Sequence, residues 1–498
     1  MNVVWLKRDL RVADHAPLRE ACARGDVLVV YVVEPERIAA PECDPAHLRF
    51  AAESLAEVRD RLRALGGELV ILRGELPGAF DALRRWRPIT ALYSHQETGD
   101  GASYARDRRV KAWCRQWGIP WHESVQNGVV RGLRSRDGWA SRWDRTMAAP
   151  ILDAPARIPA VSLDGLDPGA IPTVDALGLP PSTKPDAQVG GETAARATLR
   201  SFFSTRGASY ADGLSSPVSA GDACSRLSPY LAFGNLSMRQ VVRALERRQR
   251  DAAADRSPRG AGWRRSLDAF GGRLRWHCHF MQKLEDEPRL EFDNLSRACD
   301  GLRESEFRPE RFDAWARGET GFPMVDACMR ALLETGWINF RMRAMLMSFA
   351  AYDLWLHWRQ PGLHLARHFL DYEAGIHWPQ VQMQSGTTAI NALRMYSPTK
   401  QLADHDPTGV FVRRWLPALR AVDDRYLAEP WRMPPDVQRR VGCVIGRDYP
   451  HPIVQHDQAI AHARRRLAEV RQLPEARDES RDILRKHGSR LPPDQRRG

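Results

Sequence analysis

Four short apolar runs in the first hundred residues constrain the fold of this chain more than any other feature. NVVWL (Asn2–Leu6), VLVVYVV (Val27–Val33), LVILR (Leu69–Arg73) and ALYSH (Ala91–His95) are rich in β-branched residues and too short for buried helices. Amphipathic segments such as 47–65 and 102–116 separate them. Alternation of this kind predicts a parallel sheet with helices on both faces. No GxGxxG follows the first run, so the dinucleotide fingerprint is absent, and an ordinary nicotinamide dehydrogenase is excluded with it.

The alternation stops near residue 130. Residues 131–192 are dominated by Pro, Gly and Asp and read as an interdomain linker. Beyond Thr193 the pattern turns helical: TAARATLRSFF, NLSMRQVVRALERR, MVDACMRALLETG and RMRAMLMSFAAYDLWLHWR place apolar residues at spacings of three and four. The expected architecture is α/β plus all-α. It has a parallel-sheet domain of Rossmann-like or flavodoxin-like type over 1–130, a linker over 131–192, a large helical domain over 193–475 and a frayed basic tail over 476–498.

Charge narrows the partners. The formal net charge is +12, a surplus that favours polyanions through counterion release, although a generic arginine-rich surface gives the same total. No apolar run approaches the roughly 20 residues of a membrane span. The N-terminus reads as neither secretory signal nor transit peptide, so a cytosolic protein is expected. The eight cysteines are scattered without a CxxC pair, which fits neither a disulfide framework nor a four-thiolate metal site. Trp276-His277-Cys278-His279 contains an HxH pair, but no further ligands lie nearby in sequence, and no metal is expected.

Two stretches carry chemistry. In CSRLSPYLAFGNLS (224–237), Ser228 before Pro229 fits a helix N-cap, with Ser225 and Arg226 just ahead. Free N–H groups, a hydroxyl and a guanidinium make a seat for a phosphate or pyrophosphate; a capped helix with an incidental arginine fits equally. DYEAGIHWPQVQMQSG (371–386) packs Asp371, Glu373 and His377 into seven residues, followed by Trp378 and three glutamines. It is too polar for a core helix and too aromatic for a simple surface loop.

SRLSPYLAFGNLS resembles the flavin-diphosphate segment of the photolyase/cryptochrome family. VVWLKRDLRVADHAPL is similar to that family's first strand and loop, and WARGETGFPMVDACMRALLETGWINFRMR (315–343) to its central helical segment. MYSPTKQLADHDPTGVFVRRWLPAL (395–419) is similar to its closing segment. The resemblance runs from about residue 2 to 465. It implies an antenna-binding α/β domain and a helical domain holding FAD, in which light-excited reduced flavin passes an electron to a pyrimidine dimer in UV-damaged DNA. Carried over position by position, the cofactor-binding residues would be Tyr210, Ser225, Arg226, Leu227, Ser228, Phe270, His277, Trp337, Arg343, Asp371, Glu373 and His377. Arg343 and Asp371 would pair against the flavin ring. Trp276, Trp337, Arg273, Asn339 and His377 would face the reaction, and Arg341, Arg343, Arg394 and Lys400 would contact DNA. A second antenna chromophore of open identity, a monomer, no membrane association and an unidentified signalling partner complete the expectation.

Departures from the family pattern surround the chemistry. His377 occupies the position facing flavin N5, usually Asn or Asp, where a change of charge near neutral pH would control the N5 proton. Val381 and Ser305 replace the inner and outer tryptophans of the electron-transfer chain. Trp358 keeps the middle position, and Trp355, Trp378, Tyr352 and Tyr396 offer another route. Arg273 and Phe340 stand where a glutamate and an asparagine hold the lesion in class I dimer photolyases, His277 stands in place of an arginine, and Asn339 in place of the (6-4) branch's histidine. Ser103 replaces the acid that binds a folate antenna, with Glu97 nearby. Light-driven repair of pyrimidine dimers is the expected activity, and a blue-light photoreceptor with little repair activity the alternative. A DNA-binding module without light chemistry fits the charge but leaves the flavin pocket unexplained.

Overall fold

The computed structural model describes residues 1–488; the last part of the expected tail lies outside the described residues. The first domain is a five-stranded parallel sheet in the order β3-β2-β1-β4-β5. The four expected runs are β1 to β4, at Asn2–Leu6, Val27–Val33, Leu69–Arg73 and Ala91–His95. An unexpected edge strand, β5 (Trp121–Ser124), pairs with β4. Its four residues WHES are all half-buried and carry no apolar run, which is why no strand signal was visible. Helices on both faces bury β1 completely, as parallel sheets require.

The loop after β1 is fixed from within. Burial disfavours a charge on Asp9, but His15 at 3.0 Å and His95 at 2.7 Å hold its carboxyl well below the usual range. This buried triad ties the loop to the end of β4.

Two of the family-like stretches dock on each other. Leu10 N–H donates to Phe233 O at 3.1 Å, and Asn235 Nδ2 to Leu10 O at 3.0 Å. Gly234 has φ +71°, and a Cβ there would lie 2.3 Å from Arg8 O, so only glycine permits this approach. The expected linker is pinned as well as extended. It contains the helix Trp139–Ala148, which buries Trp143 and Met147. Lys184, 1% exposed, bridges Asp44 at 2.8 Å and His368 at 3.1 Å, one partner on each side.

Beyond Gly191 the chain is helical. The tail expectation is corrected: Pro474–His487 is a helix that buries Ala476 and Ile483. Glu479 fastens it by accepting from Ser296 Oγ at 2.6 Å and Arg297 N at 2.7 Å, a long-range contact that charge composition could not reveal. Among the described residues, no helix is long and apolar enough to cross a membrane.

Candidate functional site

Two helices build the main cavity. Pro258–Asp286 carries Arg273, Trp276 and His277, and Ala374–Ser385 carries His377. They meet at Gly375, where a Cβ would lie 2.7 Å from Met281 Cα, so a larger residue would force them apart. Glu373, His377, Gln380, Val381 and Gln384 form a stripe at helical spacing along one wall of a cavity of about 1140 Å³. The segment 224–228 and Trp337 form another wall.

The phosphate-seat segment lies in this wall. Arg226 takes a left-handed backbone, φ +60°, and its guanidinium stacks on Trp337 at 3.9 Å. No carboxylate lies within ion-pair distance of it among the described residues. Burial pushes its pKa down to about 10, only partly offset by Asp371. A desolvated cation without a counterion is a site for an anion. The expected Ser228 cap is corrected: Leu227 is the N-cap, Ser228 is the first helical residue, and no side-chain cap hydrogen bond is made.

Arg343 and Asp371 form a two-pronged ion pair, both contacts 2.9 Å, over the Phe369 ring at 4.1 Å. Burial opposes the charge on Asp371, but Arg343 keeps its carboxyl below the usual range. Arg343 Nε donates to Ile338 O at 2.8 Å, so this guanidinium is committed within the cavity wall.

Two histidines in this cavity are held in different charge states, one protonated and one neutral. Burial works against protonation of His277, yet Glu373 at 2.8 Å raises its pKa to about 10, giving an imidazolium. For His377 burial wins: its pKa falls to about 4, and Nε2 is bonded to Gly362 O at 2.8 Å. The expected change of charge near neutral pH is therefore corrected, and His377 is a neutral imidazole in the cavity wall.

The other expected residues divide. Tyr210, Ser225 and Trp337 line the cavity. Leu227, 1% exposed, and Phe270, 4% exposed, lie in the core behind it; Phe270 packs against Tyr210 at 5.7 Å. Asn339 is turned away and donates to Leu214 O and Ser215 O at 3.1 and 2.9 Å. Trp276 lies exposed beside Arg273, whose guanidinium is 4.4 Å from the indole and 5.8 Å from the ring of Phe340, a cavity-lining residue, which sets the pair at the cavity's rim rather than in its lining. Arg394 and Lys400 are exposed, Lys400 paired with Asp404 at 2.9 Å, and Arg341 lies near Asp404 and His405.

A ring contact path runs inward from the wall: His377 to Trp378 at 4.8 Å, then Trp378 to Trp358 at 5.9 Å. Trp355 sits elsewhere, against His462, Arg303 and Arg466. Its backbone is left-handed, φ +55°, just after a π-helical turn at Phe349–Asp353, and that turn rotates it into a separate cluster.

Sequence reasoning missed Gln380 and Gln384 as cavity residues, although their three- and seven-residue offsets from His377 were readable. It also missed Cys224, Phe369 and Tyr372, which only the fold brings in.

A second cavity of about 1090 Å³ opens at the carboxyl ends of β1 and β2. Most of its charges are paired. Arg106 meets Glu34 at 3.0 Å, Asp107 at 2.8 Å and also Glu97, while Arg37 meets Asp100 at 2.7 Å. The surrounding cations outweigh burial and lower the Glu97 pKa to about 2. Glu97 lines this crevice; Ser103 instead bonds Asp100. Tyr372 lines both cavities.

Comparison with known proteins follows the same division. Residues 2–134 match the DNA photolyase family model, and residues 270–469 match the FAD binding domain of DNA photolyase. A deoxyribodipyrimidine photo-lyase of Streptomyces griseus is 30% identical, over 95% of this chain and 99% of its own length. A cryptochrome DASH of Gloeobacter violaceus is 29% identical, over 92% of this chain and 94% of its own. The crystal structure of a bacterial class III photolyase from Agrobacterium tumefaciens superposes with a TM-score of 0.81 at 25% identity, covering 95% of this chain and 98% of that one.

Proposed function

We propose, for a chain that belongs to the photolyase/cryptochrome family, that it is a FAD-dependent, blue-light-driven DNA photolyase acting on UV-induced pyrimidine dimers. The observation that carries this reading is the set of cations around one cavity: Arg226 without a carboxylate, Arg343 tied to Asp371, and His277 held charged by Glu373.

The residues present fit the cofactor. Arg226, desolvated against Trp337, and Ser225 would hold the pyrophosphate. Arg343 would face the ring system, oriented by Asp371 and braced on Phe369. The neutral His377 would offer a hydrogen bond without adding charge. When bound, a reduced flavin supplies a light-excited electron. The chain itself binds, orients and keeps water out: Met347, Leu365, Phe369 and Ile376 give the cavity an apolar side. Exposed Trp276 at the mouth would stack a base turned out of the duplex, and the +12 surplus would hold the DNA backbone. The crevice of the sheet domain, its charges mostly paired, would take a second, light-harvesting chromophore whose charge is small.

The photoreceptor reading gains from one observation: Arg273 and Phe340 stand at the mouth in place of the lesion-holding acid and amide. The two readings separate when reduced protein is illuminated with DNA carrying cyclobutane dimers or (6-4) photoproducts. Flavin absorption bands with light-dependent loss of the cyclobutane dimer are expected. Flavin bands with no loss of either lesion would turn the reading to a photoreceptor, and failure to take up flavin would overturn both.

A further inference from the structure

The mouth of the cavity has an unusual hydrogen-bonding character. Arg273 lies between two rings, 4.4 Å from Trp276 and 5.8 Å from Phe340. Those rings are 43% and 41% exposed, among the largest apolar side chains left open to solvent. Arg273 also lies close enough to the Tyr210 hydroxyl to interact with it electrostatically. It has no carboxylate partner among the described residues. The two carboxylates of the cavity are already taken, Asp371 by Arg343 and Glu373 by His277.

The chemistry of these side chains is one-sided. Arginine has five N–H donors and no acceptor, the indoles of Trp276 and Trp337 donate only, and Phe340 does neither. Around Arg273 a ligand meets donors and π-faces, and the acceptors of the cavity include the neutral amides of Gln380 and Gln384 on its wall. One that presents N–H groups finds no carboxylate free to receive them, whereas one that presents phosphate or carbonyl oxygens is served. A guanidinium braced by rings also loses little freedom on meeting a phosphate, and it does so in a two-pronged geometry.

From this we infer that Arg273 is the phosphate-binding contact of the mouth. It positions an extruded dinucleotide by the phosphate that links its two nucleosides, while Trp276 and Phe340 flank the bases. The inference deepens the photolyase reading and rests on its DNA substrate, but it concerns binding in the dark and needs no photochemistry.

The test uses flavin-loaded protein and a short single strand carrying one cyclobutane thymine dimer, titrated in the dark over a range of salt. Arg273→Ala is expected to weaken binding about tenfold and to reduce the slope of log K against log salt by about 0.7, the value for one phosphate contact on a single strand. A methylphosphonate at the phosphate inside the dimer, which removes its charge, is expected to weaken wild-type binding by the same factor and to leave Arg273→Ala binding unchanged. Arg273→Lys should recover part of the affinity, which a purely structural role would not predict. Unchanged flavin absorption in the variants shows the cavity intact. Additive losses from the variant and the methylphosphonate, or an unchanged salt slope, overturn the assignment. So does a wild-type strand bound no better with the charged phosphate than without it. Dark binding that behaves as expected without repair in the light would remove the photolyase reading while leaving Arg273 in place.

Discussion

The two cavities of this molecule treat buried charge in opposite ways. In the crevice of the sheet domain Arg106 meets three carboxylates and Arg37 a fourth, so these cations are neutralised before anything binds. In the helical cavity Arg226 and Arg273 lack carboxylate partners and rest on aromatic rings instead. A balanced network stabilises the fold that contains it. An unbalanced one leaves an attraction that only an anionic ligand satisfies. The difference tells which cavity is built for stability and which for a polyanionic cofactor and substrate.

The comparison breaks most sharply at Arg106. Arg106→Ala would leave Glu34, Glu97 and Asp107 facing one another, and should lower stability by about 3–5 kcal/mol in denaturant titration. Arg226→Met should do the reverse. Stability of the flavin-free protein should stay level or rise, while flavin affinity falls by about 1.5–3 kcal/mol, read by equilibrium dialysis. Equal loss of fold stability in both variants would erase the distinction.

The two cavity histidines sharpen it further. His277→Gln should cost about 2 kcal/mol at neutral pH by stranding Glu373. The His277 value rises from an unfolded value near 6.5 to about 10, so its contribution is full below about pH 6.5 and lost as pH rises through 10. The His377 value falls to about 4, so the stability it contributes is present above about pH 6.5 and lost as pH falls through 4. Thermal melts of the two glutamine variants against pH should therefore converge on wild type at opposite ends. Convergence at the same end would show that one charge assignment is wrong.

The strands of the first domain were readable because a buried parallel strand is apolar on both faces, as β1 and β2 are throughout and β3 and β4 are over their first residues. The edge strand β5 escaped because half-buried WHES carries no such demand. The Arg343–Asp371 pair and the Arg226 segment were readable through long ordered motifs. The direction of a side chain was not: Asn339, Leu227 and Phe270 lie at family-like positions yet turn into the core. Charge state was not readable either. His277 and His377 are the same residue in one cavity, and only the carboxylate beside one and the carbonyl beside the other separate them.

Tyr372 lines both cavities, and its backbone carbonyl is held by Arg8 at 2.9 Å from the loop after β1. One residue is thus shared between the walls of two chambers. Were a guest on one side to displace it, the other chamber would be reshaped, and thermodynamic reciprocity would make the influence equal in both directions.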